Sequence, residues 1–365
     1  MLLPSLLTRR SSGAPLSLAL QGGGAHGAFT WGVLDVLLAH GEHPVQAISG
    51  TSAGALNAIA VAHGWMKGGA QGAREALHSL WTTVGTQLPF EWFTTGDGES
   101  LGLAPAARAM VHLTRYLSPY QLNPLDLNPL RNLLQLQFDF DRLRRDSPVQ
   151  LFISATHANS GQLRVFRTRE ISVDAVLASA CLPTLHHAIE IDGQPYWDGG
   201  YSANPALFPL IMDGRPSDLL IVMLSPLHHA HAPRTAPEIN ERALEIAFNS
   251  TFLREARMLA EAHAVARRSW LLMGKLERRI GRMNFHLIEA QDLLGALRTE
   301  TKLIAHLPFL QRLRDHGRQR ASAWLAAHGS SVGRRSSVDL LRMFGGRAHK
   351  RPLRPRTVAG QKRAA

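Results

Sequence analysis

The stretch Val45-Gln-Ala-Ile-Ser-Gly-Thr-Ser-Ala-Gly54 decides how the rest of the chain is read. Its first five residues suit a short strand, and Ala55 to His63 carry a helical pattern. Between them stands G-x-S-x-G, from Gly50 to Gly54. A strand, a tight glycine turn and a helix around one serine are the setting of a nucleophile elbow. Small flanking residues permit a strained turn, and the turn pushes the Ser52 hydroxyl out of the sheet. The following helix aims its partial positive charge at the same spot and favours a developing anion there. A plain glycine turn is the rival reading.

Upstream, Leu16, Leu18 and Leu20 alternate with Ser17 and Ala19, as in a strand between packed layers. Gly22, Gly24 and Gly27 follow with the spacing G-x-G-x-x-G, the outline of a dinucleotide-binding turn. Phe29, Val33, Val36 and Leu37 then share one helical face, and His40-Gly41 supplies a helix end. His63-Gly64 reads as the end of the second helix in the same way. Strand, helix, strand, helix with short links gives a parallel sheet with covering helices. A dinucleotide site, however, needs Asp or Glu at the end of the second strand to hold the ribose. None stands there, and Glu42 lies at the wrong end of that strand. An NAD(P)-binding oxidoreductase is therefore the disfavoured alternative. The amides of Gly22, Gly23 and Gly24 are free to serve another anion, the oxyanion formed when Ser52 attacks an ester.

A serine hydroxyl needs a positioned base. The chain has 18 histidines, and none has a context that marks it as that base. His40, His63 and His328 each precede a glycine at an expected helix end, and His228, His229 and His231 lie in a loop. One aspartate stands out. Asp192-Gly193 separates two short strand-like runs as a hairpin turn. Asp198 ends the second run and is followed by Gly199-Gly200, so another backbone can approach it closely. On these residues alone Asp198 is either a catalytic carboxylate or a second turn residue.

The remaining features set bounds. With 365 residues and 45% apolar residues the chain can bury a large core. Its one cysteine, Cys181, excludes an intrachain disulfide and a multi-cysteine zinc site. No stretch reads as a signal peptide or a membrane span, which fits a cytoplasmic protein. The expected organisation is a flexible leader over 1–14 and a catalytic domain over 15–235. Within that domain an insertion over 85–134 could wall a cleft. A helical region over 236–330 packs on the core, and a disordered basic tail runs over 331–365. The tail holds ten Lys or Arg and one acid, a net +9 of the chain's +12. Its preferred reading is a solvated end that aids solubility. The sharper one is peripheral contact with an anionic membrane. No nucleic-acid partner is expected, and the sequence says nothing of oligomeric state.

Three motifs in this order resemble the patatin-like phospholipases: Gly22-Gly-Gly-Ala-His-Gly27, Gly50-Thr-Ser-Ala-Gly54 and Asp198-Gly-Gly200. Ala178-Ser-Ala-Cys-Leu-Pro183 and Asn204-Pro205 add to the resemblance, which spans roughly residues 15–212. It implies a three-layer α/β/α sandwich with a mostly parallel sheet and a C-terminal helical region. It implies a lipid acyl hydrolase that works through an acyl-Ser52 intermediate, with Asp198 as base and no catalytic histidine. Gly22, Gly23 and Gly24, joined by the N–H of Ala53, would form the oxyanion hole. No cofactor or metal is implied, and the substrate would be an ester lipid. His26 departs from the Arg or Lys common at that motif position. A free Asp, with a pKa of about 3.9, is a weak base towards an alcohol, so the dyad requires a site closed to water. A catalytically weak lipid-binding protein that keeps the fold is a third reading.

Overall fold

The computed structural model describes residues 13–86, 94–95, 102–114, 116–213, 218–229, 231–268, 274–295, 297 and 299–345. The leader over 1–12, the aromatic run over 89–93, the loop over 96–98 and the tail over 346–365 lie outside the described residues.

Among the described residues the strands are β1 (Leu16–Leu20), β2 (Val45–Gly50), β3 (Thr94–Thr95), β4 (Gly102–Leu103), β5 (Gln150–His157), β6 (Leu163–Arg167), β7 (Ile189–Ile191), β8 (Gln194–Asp198), β9 (Asp218–Met223) and β10 (Asn284–Glu289). The main sheet has the order β10-β9-β1-β2-β5-β8-β7, with β6 also paired to β5. The five strands from β10 to β5 are mutually parallel. The pairings β5–β6, β5–β8 and β7–β8 are antiparallel. Strands β3 and β4 form a separate small pair.

The helices are α1 (Gly27–His40), α2 (Ala53–Thr86), α3 (Pro105–Leu113), α4 (Pro119–Leu122), α5 (Pro129–Gln137), α6 (Phe140–Asp146), α7 (Val173–Ser179), α8 (Phe208–Met212), α9 (Ala236–Arg268), α10 (Lys275–Arg282), α11 (Gln291–Leu294), α12 (Leu307–His328) and α13 (Leu340–Phe344). Successive strand residues point to opposite faces, so the central strands feed two cores. Leu18, Leu20, Ile48, Leu220 and Val222 face α1, α2, α7 and α12. Ala19, Ala47, Leu219, Ile221 and Phe285 face α8, α9 and α13. The result is the expected three-layer sandwich with a mostly parallel sheet. Among the described residues no helix is long and apolar enough to cross a membrane.

Strand β5 brings the two candidate site segments together. β2 pairs with Gln150 to Ile153, and β6 with Phe152 to Thr156. The two ranges overlap, so β2 and β6 lie on opposite edges of β5. β8 pairs with Ala155 to His157, which overlaps the β6 range, so β8 sits on the β2 edge. β8 runs antiparallel and β2 parallel to β5, so their C-terminal ends meet. Gly50 pairs with Ile153 and Asp198 with Ala155. Those partners are two residues apart, roughly 6.6 Å along the strand.

Several expectations need correction. The second helix does not end at His63-Gly64. It continues to Thr86 and breaks at Gly68 and Gly69, where Gly69 takes φ 60°. His63 is buried, and its Nε2 accepts the Asp139 N–H at 3.2 Å. Burial, aided by Lys67, pushes its pKa down to about 4. It is a neutral core acceptor, not a cation at a helix end. The expected C-terminal helical region is present as α9 to α12 over 236–330, and it adds one unforeseen element, the edge strand β10 (Asn284 to Glu289) beside β9. Residues 331–345 are folded, contrary to the expected disorder. The Gly333 N–H donates to Asp218 Oδ1 at 2.8 Å, the Phe285 N–H donates to Ser336 Oγ at 3.0 Å, and Leu340 and Phe344 of α13 are buried. At the other end Gly13, placed in the leader, donates its N–H to the Glu42 carbonyl at 3.0 Å.

Candidate active site

Ser52 follows the last residue of β2 by two positions and immediately precedes α2. Its φ is +54°, a left-handed value that non-glycine residues rarely adopt. Such a conformation costs on the order of 1–3 kcal/mol and persists only where its surroundings enforce it. Here they do. The Ser52 N–H donates to Ser179 Oγ at 2.9 Å. The Thr51 hydroxyl donates to the Ala203 carbonyl at 2.8 Å, and the Ser49 hydroxyl to the Ala206 carbonyl at 2.6 Å. The turn is stitched to the end of α7 on one side and to the segment after Asp198 on the other. Ser52 itself is half-buried.

Asp198 closes β8 and is 1% exposed. Its N–H donates to the Cys181 carbonyl at 2.7 Å, and its main-chain carbonyl accepts the Thr156 hydroxyl at 2.8 Å. Its carboxylate Oδ1 accepts the Gly200 N–H at 2.7 Å. The Ser52 side chain lies close enough to this carboxyl to pull its pKa down. Burial pushes the Asp198 carboxyl up from its usual 3.8 to about 7, against the opposing pull of the Gly200 N–H and of Ser52. A carboxylate of that basicity removes much of the difficulty that a free Asp poses as a base. The two residues singled out from the sequence are therefore side by side, a serine next to a buried carboxyl.

Neighbouring titratable groups do not compete for this role. Cys181 is buried, and desolvation followed by the Asp198 charge pushes its thiol up to about 12. Burial lowers His186. The His187 ring stacks on Tyr120 with centroids 4.0 Å apart. Among the described residues no histidine ring is hydrogen-bonded to Ser52.

The glycine loop lies directly over the elbow. A Cβ on Gly22 would stand 2.7 Å from Ser52 Cβ and 2.8 Å from the Thr51 carbonyl, so only glycine fits. Its amide is not turned to a ligand as expected: the Gly22 N–H donates to Asn204 Oδ1 at 2.7 Å. Gly22 thus ties the loop to the segment behind Asp198. The N–H groups of Gly23, Gly24 and Ala53 make no hydrogen bond among the described residues. Gly24 has φ +58° and abuts the Lys302 carbonyl. His26 turns away from Ser52, and its Nε2 is 2.7 Å from Thr301 Oγ1. Burial and then the Lys302 charge push it down to about 3, so the ring is neutral.

Four positioning residues escaped the sequence reading. Ser179 and Asn204 stand in Ala178-Ser-Ala-Cys and Asn204-Pro205, stretches already notable beside the motifs, yet nothing in them signals a bond to the elbow or the glycine loop. Thr301 and Lys302 come from far along the chain and carry no local signal at all.

The family model for patatin-like phospholipase matches residues 18–211, more than half of the 365. Two solved structures are similar over most of the chain. VipD from Legionella pneumophila has a TM-score of 0.40 at 14% identity, covering 86% of this chain and 67% of that one. The solved complex of SpcU with ExoU, from the type III secretion system of Pseudomonas aeruginosa, gives a TM-score of 0.31 at 15% identity, covering 88% and 80%. Comparison with curated proteins finds no match. By the family match, the chain belongs to the patatin-like phospholipases, a family of lipid hydrolases.

Proposed function

We propose that the chain hydrolyses lipid esters of the phospholipid or lysophospholipid kind through a Ser52–Asp198 dyad. The observation that carries this reading is the meeting of the Ser52 turn and a buried carboxyl pushed up to about 7 at adjoining strand ends. In the first half-reaction Ser52 Oγ attacks the ester carbonyl carbon while its proton passes to Asp198. The carbonyl oxygen becomes an anion, stabilised by the N–H groups of Gly23, Gly24 and Ala53 and by the positive end of α2. The Gly22 N–H, which donates to Asn204 Oδ1, holds the loop and takes no part in binding the oxyanion. The tetrahedral species collapses, the C–O bond to the alcohol breaks, and the departing oxygen takes the proton from Asp198. In the second half-reaction water attacks the acyl carbon and gives a proton to Asp198. The bond to Ser52 Oγ breaks, the proton returns to that oxygen, and a fatty acid leaves.

A site closed to water strengthens the attraction of those N–H groups for the developing oxyanion, and the 1% exposure of Asp198 supports that condition. The basic end of the chain adds a proposal about location. Residues 346–365 hold seven Lys or Arg and no acid. Each is worth about 1 kcal/mol near an anionic lipid surface. Deleting 346–365, which spares the folded 331–345, should weaken binding to anionic vesicles at low salt.

The test of the reaction is ester turnover by two variants. Ser52→Ala and Asp198→Asn should each abolish release of fatty acid from phospholipid while leaving the melting transition cooperative. Full turnover in Asp198→Asn would move the role of base to another group.

A further inference from the structure

The segment over 116–130 reads Tyr-Leu-Ser-Pro-Tyr-Gln-Leu-Asn-Pro-Leu-Asp-Leu-Asn-Pro-Leu and holds one charged residue, Asp126. A solvated loop of this length ordinarily carries several. Here the apolar side chains are outside: Tyr116 is 84% exposed, Leu125 79% and Leu127 68%, and Tyr120 is exposed as well. The single charged side chain lies beside a ring, with Asp126 Oδ1 3.7 Å from His187 Nδ1. Exposed apolar groups clustered this densely mark a surface that meets something apolar.

The segment is tied to the candidate site by short contacts. Tyr120 stacks on His187, and its hydroxyl accepts the Ala188 N–H at 3.3 Å. The His187 carbonyl accepts the Cys181 thiol at 3.0 Å, and the Cys181 carbonyl accepts the Asp198 N–H at 2.7 Å. A second segment reaches the turn that follows Asp198. Phe248 of α9 packs on Gly200 and on Tyr201, and the helix N-terminal to it exposes Ile239, Leu244 and Ile246. The exposed apolar side chains of 116–127 therefore adjoin this strand end, whereas Ile239, Leu244 and Ile246 are interspersed with Glu238, Glu241, Arg242 and Glu245.

We infer that residues 116–127 form a docking surface for a lipid bilayer beside the Ser52 site. This rests on the lipid-ester reading of that site. A bilayer is the occupant because it is also the source of substrate, whereas a docked protein beside the same strand end would obstruct substrate entry. Tyr beside Leu also suits the interfacial zone, where an apolar ring body and a polar tip are both accommodated. Binding through this surface is apolar. It persists on zwitterionic lipid and at high salt, where attraction by a basic tail is screened.

Flotation of the full chain with phosphatidylcholine vesicles at high salt tests this, with Ser52→Ala as the parent so that the vesicles are not consumed. The parent should float with the vesicles, and adding Leu125→Asp with Leu127→Asp should cut partition on the order of tenfold or more. Both side chains are exposed, and an unchanged melting temperature excludes unfolding as the cause. An independent readout uses Leu125→Cys carrying an environment-sensitive dye, since Cys181 is buried and its thiol is not readily ionised. The dye should report an apolar environment when vesicles are added. Equal partition of parent and double variant, no partition of the parent, or an unresponsive dye would each overturn the inference. So would a dimer that the double variant dissolves while no vesicle binding occurs. None of these outcomes bears on whether Ser52 is the nucleophile, which a covalent probe reads separately.

Discussion

Gly50 and Asp198 pair with Ile153 and Ala155, two residues apart on a single edge of β5. The strand that launches the elbow and the strand that ends in the carboxylate thus meet head to head. The meeting of Ser52 and Asp198, 146 positions apart in the chain, is set by backbone pairing before any side chain is considered.

The raised pKa of Asp198 predicts the pH dependence. In the proposed reaction only the ionised carboxylate can accept the serine proton. With a carboxyl at about 7, kcat/KM for a soluble ester should rise tenfold per pH unit below 7 and level off above it. An acid limb near 4 would show that the carboxyl is not held in a desolvated site.

The same shift predicts a stability effect. Between about pH 4 and 7 the folded chain keeps a proton on Asp198 that the unfolded chain has lost, so this group's contribution to stability falls as pH rises through that window. One pKa unit corresponds to about 1.4 kcal/mol. Asp198→Asn has no ionised form to desolvate. Its stability relative to the parent should therefore grow between pH 5 and pH 8, measured by urea midpoints. A gain that shrinks with pH would contradict the assignment.

Asn204 is 2% exposed, and its side-chain carbonyl satisfies the Gly22 amide. Asn204→Ala should leave that donor unpaired at a cost of about 1–3 kcal/mol. It should also lower kcat more than it raises KM, because the loop over Ser52 loses its anchor. Unchanged kinetics with lowered stability would limit Asn204 to a structural role.

Phe344 packs edge-on against Phe252 with centroids 5.9 Å apart. Phe344→Ala should lower stability by up to about 3–5 kcal/mol, the range for a buried Phe. A melting temperature equal to the parent's would mean that 331–345 is the loose tail its composition suggests.

That last contrast shows where sequence reading stopped. The alternation of Leu16, Leu18 and Leu20 and the glycine turns at Gly22 and Gly50 are local signals, and each became the expected element. The Asp192-Gly193 hairpin did too, with both residues at positive φ. Residues 331–345 look like a tail because Arg, Ser and Gly dominate them. They fold because Leu340 and Phe344 reach α9, and because Ser336 and Gly333 bond to β10 and β9, contacts that no local pattern encodes. Strand β10 was hidden for the same reason, since six residues among helices carry too short a pattern. At the site, the motifs picked out Ser52 and Asp198 as residue types in context. They could not show that the Gly22 amide is already occupied, because its partner Asn204 lies 182 positions away.

The central claim is that Ser52 is the nucleophile and that Asp198 makes it one. The most direct measurement is mass-spectrometric mapping of the adduct formed by a fluorophosphonate probe on the full chain and on Asp198→Asn. The adduct should fall on Ser52 in the parent and form far more slowly in the variant. Labelling at another residue, or equal rates at Ser52 in both proteins, would contradict the account.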